Sequence, residues 1–70
     1  MDQFSFKKGW DQVQQKDAAG VRSKIMEALN IKTRASWKLR LDGTVEPKVS
    51  EAESIEAIFH EYSINEIWGS

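Results

Sequence analysis

Thr33, Arg34, Ser36, Lys38 and Arg40 crowd into one short stretch, interleaved with Ala35, Trp37, Leu39 and Leu41. Hydroxyl, guanidinium and ammonium donors on so short a segment are not bond-breaking chemistry. They are hydrogen-bond donation and charge neutralisation. An arginine fork matches the O6 and N7 acceptors of guanine, and lysine and hydroxyl donors serve other base edges. Lys32, Lys48, Arg22 and Lys24 lie around this stretch and are suited to phosphates, which give affinity and salt dependence but little sequence information. The expected chemistry is therefore recognition of duplex DNA.

Other chemistries have little to stand on. The chain has no cysteine and one histidine, His60, so disulfides and thiolate metal sites are excluded. His60 reads as a helix-surface residue. Glu51 and Glu53 belong to a helix's first turn, where the dipole favours carboxylates, and Glu56 and Glu61 to a solvated face. No nucleophile and base pair up, and no glycine loop for phosphate or metal-ligand motif is present. No enzyme activity, cofactor, metal or small-molecule substrate is expected.

The elements that must position these donors are legible from spacing. Phe4 and Phe6 open an entry segment, and Ser5 is a candidate cap for a short helix through Trp10 and Val13. Asp17 is a candidate N-cap for a second helix, in which Val21, Ile25, Ala28 and Leu29 form one apolar stripe. Asn30 tolerates the left-handed conformation that ends a helix. Thr33 can cap a third helix running to about Leu41, and Asp42-Gly43 stops it. Pro47 keeps the following loop from continuing as helix. Ser50 and Glu53 have capping-box spacing, ahead of Ala52, Ile55, Ile58, Phe59 and Tyr62. The segment Ile64 to Trp68 fits a last turn on the core, an edge strand or a dimer contact, with Trp68 best read as a core plug. Gly20 and Gly43 read as structural. The expected fold is all-α: a compact bundle of four to five short helices containing a helix-turn-helix. One domain spans 1–70, with the entry segment and short helix at 1–16, the helix-turn-helix at 17–43, and a loop and core helix at 44–70.

Helix, tight turn, short helix with basic and small polar residues, glycine stop, loop and amphipathic helix make up the order a helix-turn-helix needs. The second helix of such a pair lies in the major groove. The stretch Ile25 to Gly43 resembles the phage-repressor family of lambda-repressor-like and Cro-like proteins. There, an apolar helix leads through a turn to a small-polar recognition helix that closes on glycine, followed by a proline-containing loop. Ile55 to Ile64 looks like that family's next core helix, so the resemblance covers about Val21 to Ile64. It departs in having Asn30 at the usual glycine of the turn, one extra residue before Gly43, and Trp37 within the recognition helix. The resemblance implies that Thr33, Arg34, Ser36 and Lys38 touch DNA.

Rotation of that helix stays open. Ala35 and Leu39 share one face, while Trp37 and Leu41 lie almost opposite. With Trp37 and Leu41 in the core, Arg34 sits beside them and Ser36 and Arg40 point outward. With Ala35 and Leu39 in the core, Trp37 is exposed. The packing habit of large aromatics favours the first.

Charge sharpens the picture. The net charge is −1, yet residues 21–48 carry seven basic groups against three acids, and residues 49–70 carry five glutamates and no lysine or arginine. The central segment is thus the one suited to a polyanion. At 70 residues the core is small, and self-association as a homodimer is one way to extend it. No apolar run reaches the roughly 18 residues a membrane span needs, and Met1 to Phe4 lack the features of a secretory signal; the expected location is the cytoplasm. The expected function is sequence-specific binding of double-stranded DNA by a small transcriptional regulator. The alternative is a protein-interaction module that keeps the shape without contacting DNA, its acidic last helix or Trp68 tail docking a partner.

Overall fold

Val21, Ile25 and Leu29 recur every fourth residue, which puts them on one face of a helix, and all three are buried. In the computed structural model, which describes residues 4–69, the chain forms four helices: α1 (Lys7–Trp10), α2 (Gln15–Leu29), α3 (Arg34–Leu41) and α4 (Val49–His60). No strand occurs among the described residues. Met1 to Gln3 of the entry segment, and Ser70, lie outside them. Among the described residues, no helix is long and apolar enough to cross a membrane.

Helix α2 packs against α4, bringing its stripe onto Ile55 and Phe59, which are also buried. Phe6 enters from the N-terminal segment and is 1% exposed. Its ring lies 5.5 Å from Trp37, 6.2 Å from Phe59 and 6.3 Å from Trp68, in tilted or edge-on arrangements that suit the ring quadrupoles. One aromatic thus joins the entry segment, α3, α4 and the tail.

Three helices end alike. Asn30 (φ 56°) closes α2, Gly43 (φ 81°) follows α3, and Ser63 (φ 63°) follows α4. In each case the next amide reaches back five residues: Ile31 N–H to the Met26 carbonyl at 3.0 Å, Thr44 to Leu39 at 3.0 Å, and Ile64 to Phe59 at 3.1 Å. These bonds satisfy carbonyls that the helix end leaves without partners. Glycine suits position 43 because its φ lies in the left-handed region, which costs a side chain roughly 1 kcal/mol or more.

The helix boundaries differ from expectation in three places. Asp17 is not a cap. Helix α2 starts at Gln15 with Gln14 extended before it, and Asp17 occupies the first turn, where the amide end favours its charge equally. The Ser50–Glu53 capping box is not formed. Helix α4 starts at Val49, immediately after Pro47-Lys48, and Glu51 takes the reciprocal position, its carboxylate accepting from the Lys48 amide at 2.9 Å. Only that half of a capping box can exist, because a lysine side chain has no acceptor. Finally, α1 is one turn long and stops short of Val13. Ser5 does accept from the Lys7 amide at 3.1 Å, but its hydroxyl also donates to the Leu41 carbonyl at 2.7 Å, pinning the entry segment to the end of α3.

The C-terminal segment is core, with no α-helical turn. Ile64 and Ile67 are buried, and the chain beyond them runs along α1: Lys8 N–H donates to the Gly69 carbonyl at 2.8 Å, Gly9 to Ile67 at 3.0 Å and Gly69 to Ser5 at 2.7 Å. Trp68 packs on Phe6, and its indole N–H donates to the Glu56 carboxylate at 2.7 Å. Glu56 therefore holds the tail and does not belong to a solvated face. Gly9 is needed there: a Cβ at that position would stand 3.0 Å from the Ile67 Cα. Gly20, expected to be structural, meets no such demand. It is exposed in the middle of α2 and a Cβ there has nothing within 4 Å.

Candidate nucleic-acid interface

Rotation of α3 decides which side chains face outward, and Trp37 fixes it. Trp37 is 7% exposed, wedged against Phe6 and against Trp10, whose ring centroid lies 5.1 Å away. Leu41 packs beside it. With ~100° per residue, the face opposite Trp37 and Leu41 must carry Ala35, Leu39 and, toward its sides, Lys38 and Asp42. All four are exposed, Leu39 by 44%. The packing preference of a large aromatic thus wins, and Ala35 and Leu39 are left outside.

The start of α3 is rigidly capped. Thr33, extended at φ −119° and ψ 153°, accepts from the Ser36 amide at 3.1 Å, and the Thr33 and Ser36 hydroxyls bond to each other at 2.9 Å. Both hydroxyls are thus committed locally, although Thr33 remains exposed. Arg34, the first helical residue, is exposed beside the core face. It meets Arg22 of α2 across a cleft of about 220 Å³ whose apolar lining is Met26 and Trp37. Two arginines bordering Met26 and Trp37 make this a small, positively charged notch between the two helices. Lys32 is exposed in the turn before it, Lys38 on α3 and Lys48 at the start of α4. None of Arg22, Lys32, Arg34, Lys38 and Lys48 forms an ion pair among the described residues.

Two of the expected contact residues are engaged elsewhere. Arg40 does not point outward. Its guanidinium holds the Glu51 carboxylate through two nitrogens at 2.9 and 3.4 Å, and the two side chains are only 17% and 18% exposed. Position 40 falls on the flank of α3 facing the start of α4, and the shift of that helix start to Val49 sets Glu51 within reach. Arg40 and the Lys48 amide hold the Glu51 carboxyl below its ordinary range. Lys24 lies on the far side of α2 from Arg22. It binds Glu61 at 2.9 Å and Tyr62 at 3.3 Å and sits 5.2 Å from the Tyr62 ring centre. The Glu61 carboxylate, and then the Tyr62 hydroxyl, hold the Lys24 ammonium above its ordinary value.

Nine side chains of suitable chemistry thus separate by geometry. Arg22, Lys32, Thr33, Arg34, Ser36, Lys38 and Lys48 lie on or around α3 and its flanking turns, whereas Arg40 braces α3 against α4 and Lys24 braces α2 against the end of α4. Ala35 and Leu39 share the outward face, and donor chemistry does not point to them. The signal that finds them is the helical wheel itself, once Trp37 is fixed inward. Among the described residues no three histidine or acidic groups gather as a metal site would need.

Fold and surface together define a small all-α protein with a capped, cation-bearing helix held outward by a buried tryptophan. No protein-family model, curated protein or solved structure matches the chain.

Proposed function

We propose that the chain is a small sequence-specific binder of duplex DNA, similar in design to the phage-repressor helix-turn-helix proteins, that acts as a transcriptional regulator. Helix α3 enters the major groove and α2 crosses behind it. The observation that carries this reading is the outward face of α3. With Trp37 buried, Ala35, Lys38 and Leu39 are turned away from the core on a capped eight-residue helix, and Arg34 is exposed at its start beside the core face. A major groove about 12 Å wide accepts one helix. Lys38 and Arg34 supply donors for base edges. Arg22, Lys32 and Lys48 are suited to the backbone phosphates on either side.

Selection from random duplex DNA with the purified protein tests the reading and yields the site in the same experiment. The expected result is one enriched motif, bound with an affinity that falls linearly with the logarithm of salt concentration. Arg34→Ala and Lys38→Ala each weaken specific binding by about tenfold or more, whereas Lys32→Ala lowers affinity for all sequences alike and makes the salt slope shallower by about one unit. Arg40→Ala serves as a contrast, because its effect is on folding through Glu51. Binding indifferent to Arg34, Lys38 and salt would overturn the proposal.

A second reading rests on Val49, which is 78% exposed. It borders a groove of about 320 Å³ with Phe4, Glu46, Pro47, Ala52 and Trp68, and a mostly apolar surface of that kind suits a protein contact. Absence of any gel retardation of DNA at low salt would favour that reading.

A further inference from the structure

The donors on α3 flank its outward face, but the centre of that face is hydrocarbon. Ala35 and Leu39 are one turn apart on it, both exposed, with Lys38 beside them and Arg34 at the helix start. Leu39 is one of three exposed large apolar residues among the described ones, the others being Val45 and Val49. An exposed leucine on an ordinary solvated helix needs no explanation. This one stands where arginine and lysine draw the helix onto a polyanion, so it becomes desolvated whenever they make their contacts.

In the major groove an aliphatic side chain has one apolar partner, the C5-methyl of thymine; the other base edges there present hydrogen-bond donors and acceptors. Leu39 against cytosine, guanine or adenine strips water from polar groups and returns no hydrogen bond, which is unfavourable. Against thymine it buries one methyl group on another. The same holds on a smaller scale for Ala35. Their Cβ atoms, about 6 Å apart at this spacing, span about two base steps at the ~3.4 Å rise of duplex DNA.

We propose that α3 reads thymine by its 5-methyl group through Ala35 and Leu39, so that the bound half-site carries thymine beside the position read by Lys38. This rests on the DNA-binding reading above and adds a base identity that the donors alone do not provide.

Deoxyuridine tests it, since it pairs as thymine does and lacks only the methyl. Once selection has given the bound sequence, each thymine is replaced in turn by deoxyuridine and affinity is measured for the wild type, Leu39→Ala and Leu39→Gln. Both variants are good helix formers at an exposed position, and circular dichroism checks that they fold. The expected result is a loss of about fourfold at one or two thymines for the wild type, the change that corresponds to one buried methyl-sized group. At one of those positions the loss disappears in Leu39→Ala and Leu39→Gln. If the wild type binds its selected site, remains dependent on Arg34 and Lys38, and tolerates deoxyuridine everywhere, the thymine readout is wrong and DNA binding stands. The readout is equally wrong if both Leu39 variants keep the full methyl sensitivity. If no duplex is selected or retarded at low salt, DNA binding itself fails and the thymine readout with it.

Discussion

Arg40 is the residue whose chemistry and role diverge most. Read by type, it is a guanine reader; read by position, it is a strut, because its fork closes on Glu51 and both side chains are only 17% and 18% exposed. Removing one member of such a pair leaves the other charge poorly solvated. Glu51→Gln keeps an acceptor for the Lys48 amide but deletes the charge, so the expected loss is about 1–2 kcal/mol, between the values for exposed and fully buried pairs. The acid side of the stability profile checks the assignment. The folded pKa of Glu51 lies below its ordinary 4.5, so folding favours the ionised form. Its contribution is complete above that ordinary value and is lost as pH falls through the folded one. Denaturant midpoints measured from pH 6 downward should therefore fall less steeply below about pH 4.5 in Glu51→Gln than in the wild type. Equal acid limbs would show that the pair does not stabilise the fold. Glu66 is held low by Lys8 in the same way, but that pair is largely exposed at 47% and 76%, so salt screens it.

At the scale of elements, two glycines provide a test with opposite signs. Gly20 sits exposed in mid-helix with open space around it, so Gly20→Ala should stabilise by about 0.5–1 kcal/mol through helix propensity alone. Gly9 lies under the tail, where an added Cβ would meet the Ile67 backbone at 3.0 Å. That backbone cannot easily retreat, because the bonds of Lys8 to Gly69, Gly9 to Ile67 and Gly69 to Ser5 tie it down. Gly9→Ala should therefore destabilise by roughly 1–3 kcal/mol, as overpacking does. Thermal midpoints read both, at about 4–8 °C per kcal/mol for a domain of this size. A stabilised Gly9→Ala would mean that the tail is only loosely docked. The same two positions show what local sequence can and cannot reveal. Periodicity is local, so α2, α3, α4 and their ends at Asn30 and Gly43 are legible from spacing and stop signals. The rotation of α3 is not, because Ala35/Leu39 and Trp37/Leu41 make equally good stripes, and contact with Phe6 and Trp10 decides between them. The tail, the double use of Ser5 and the Arg40–Glu51 pair join residues far apart in sequence or depend on the register of a helix start. No local pattern encodes them, and for that reason Arg40 and Lys24, whose chemistry suits DNA, are braces in the folded chain.

For the whole molecule, size constrains how it can occupy DNA. The fold measures 26 × 23 × 19 Å, whereas successive half-sites on one face of the duplex lie about 34–36 Å apart. On the proposed DNA-binding reading, a fold of these dimensions spans one half-site and falls short of a second. A site of few base pairs gives limited discrimination, since each good contact contributes about 1–3 kcal/mol, so the proposed DNA binding predicts two copies on a palindrome. The charge distribution is compatible with that proposal: residues 21–48 carry seven basic groups against three acids, whereas residues 49–70 carry five glutamates and no lysine or arginine. The expected stoichiometry is two chains per duplex carrying both half-sites and one per duplex carrying a single half-site, measured by sedimentation with labelled DNA. If the copies touch, the two-site duplex is occupied at lower protein concentration than the single-site one. Moving the half-sites apart by half a helical turn then abolishes that gain, because it puts the second copy on the opposite face. Saturation at one chain per duplex, whatever the number of half-sites, would show that this protein acts on DNA as a monomer.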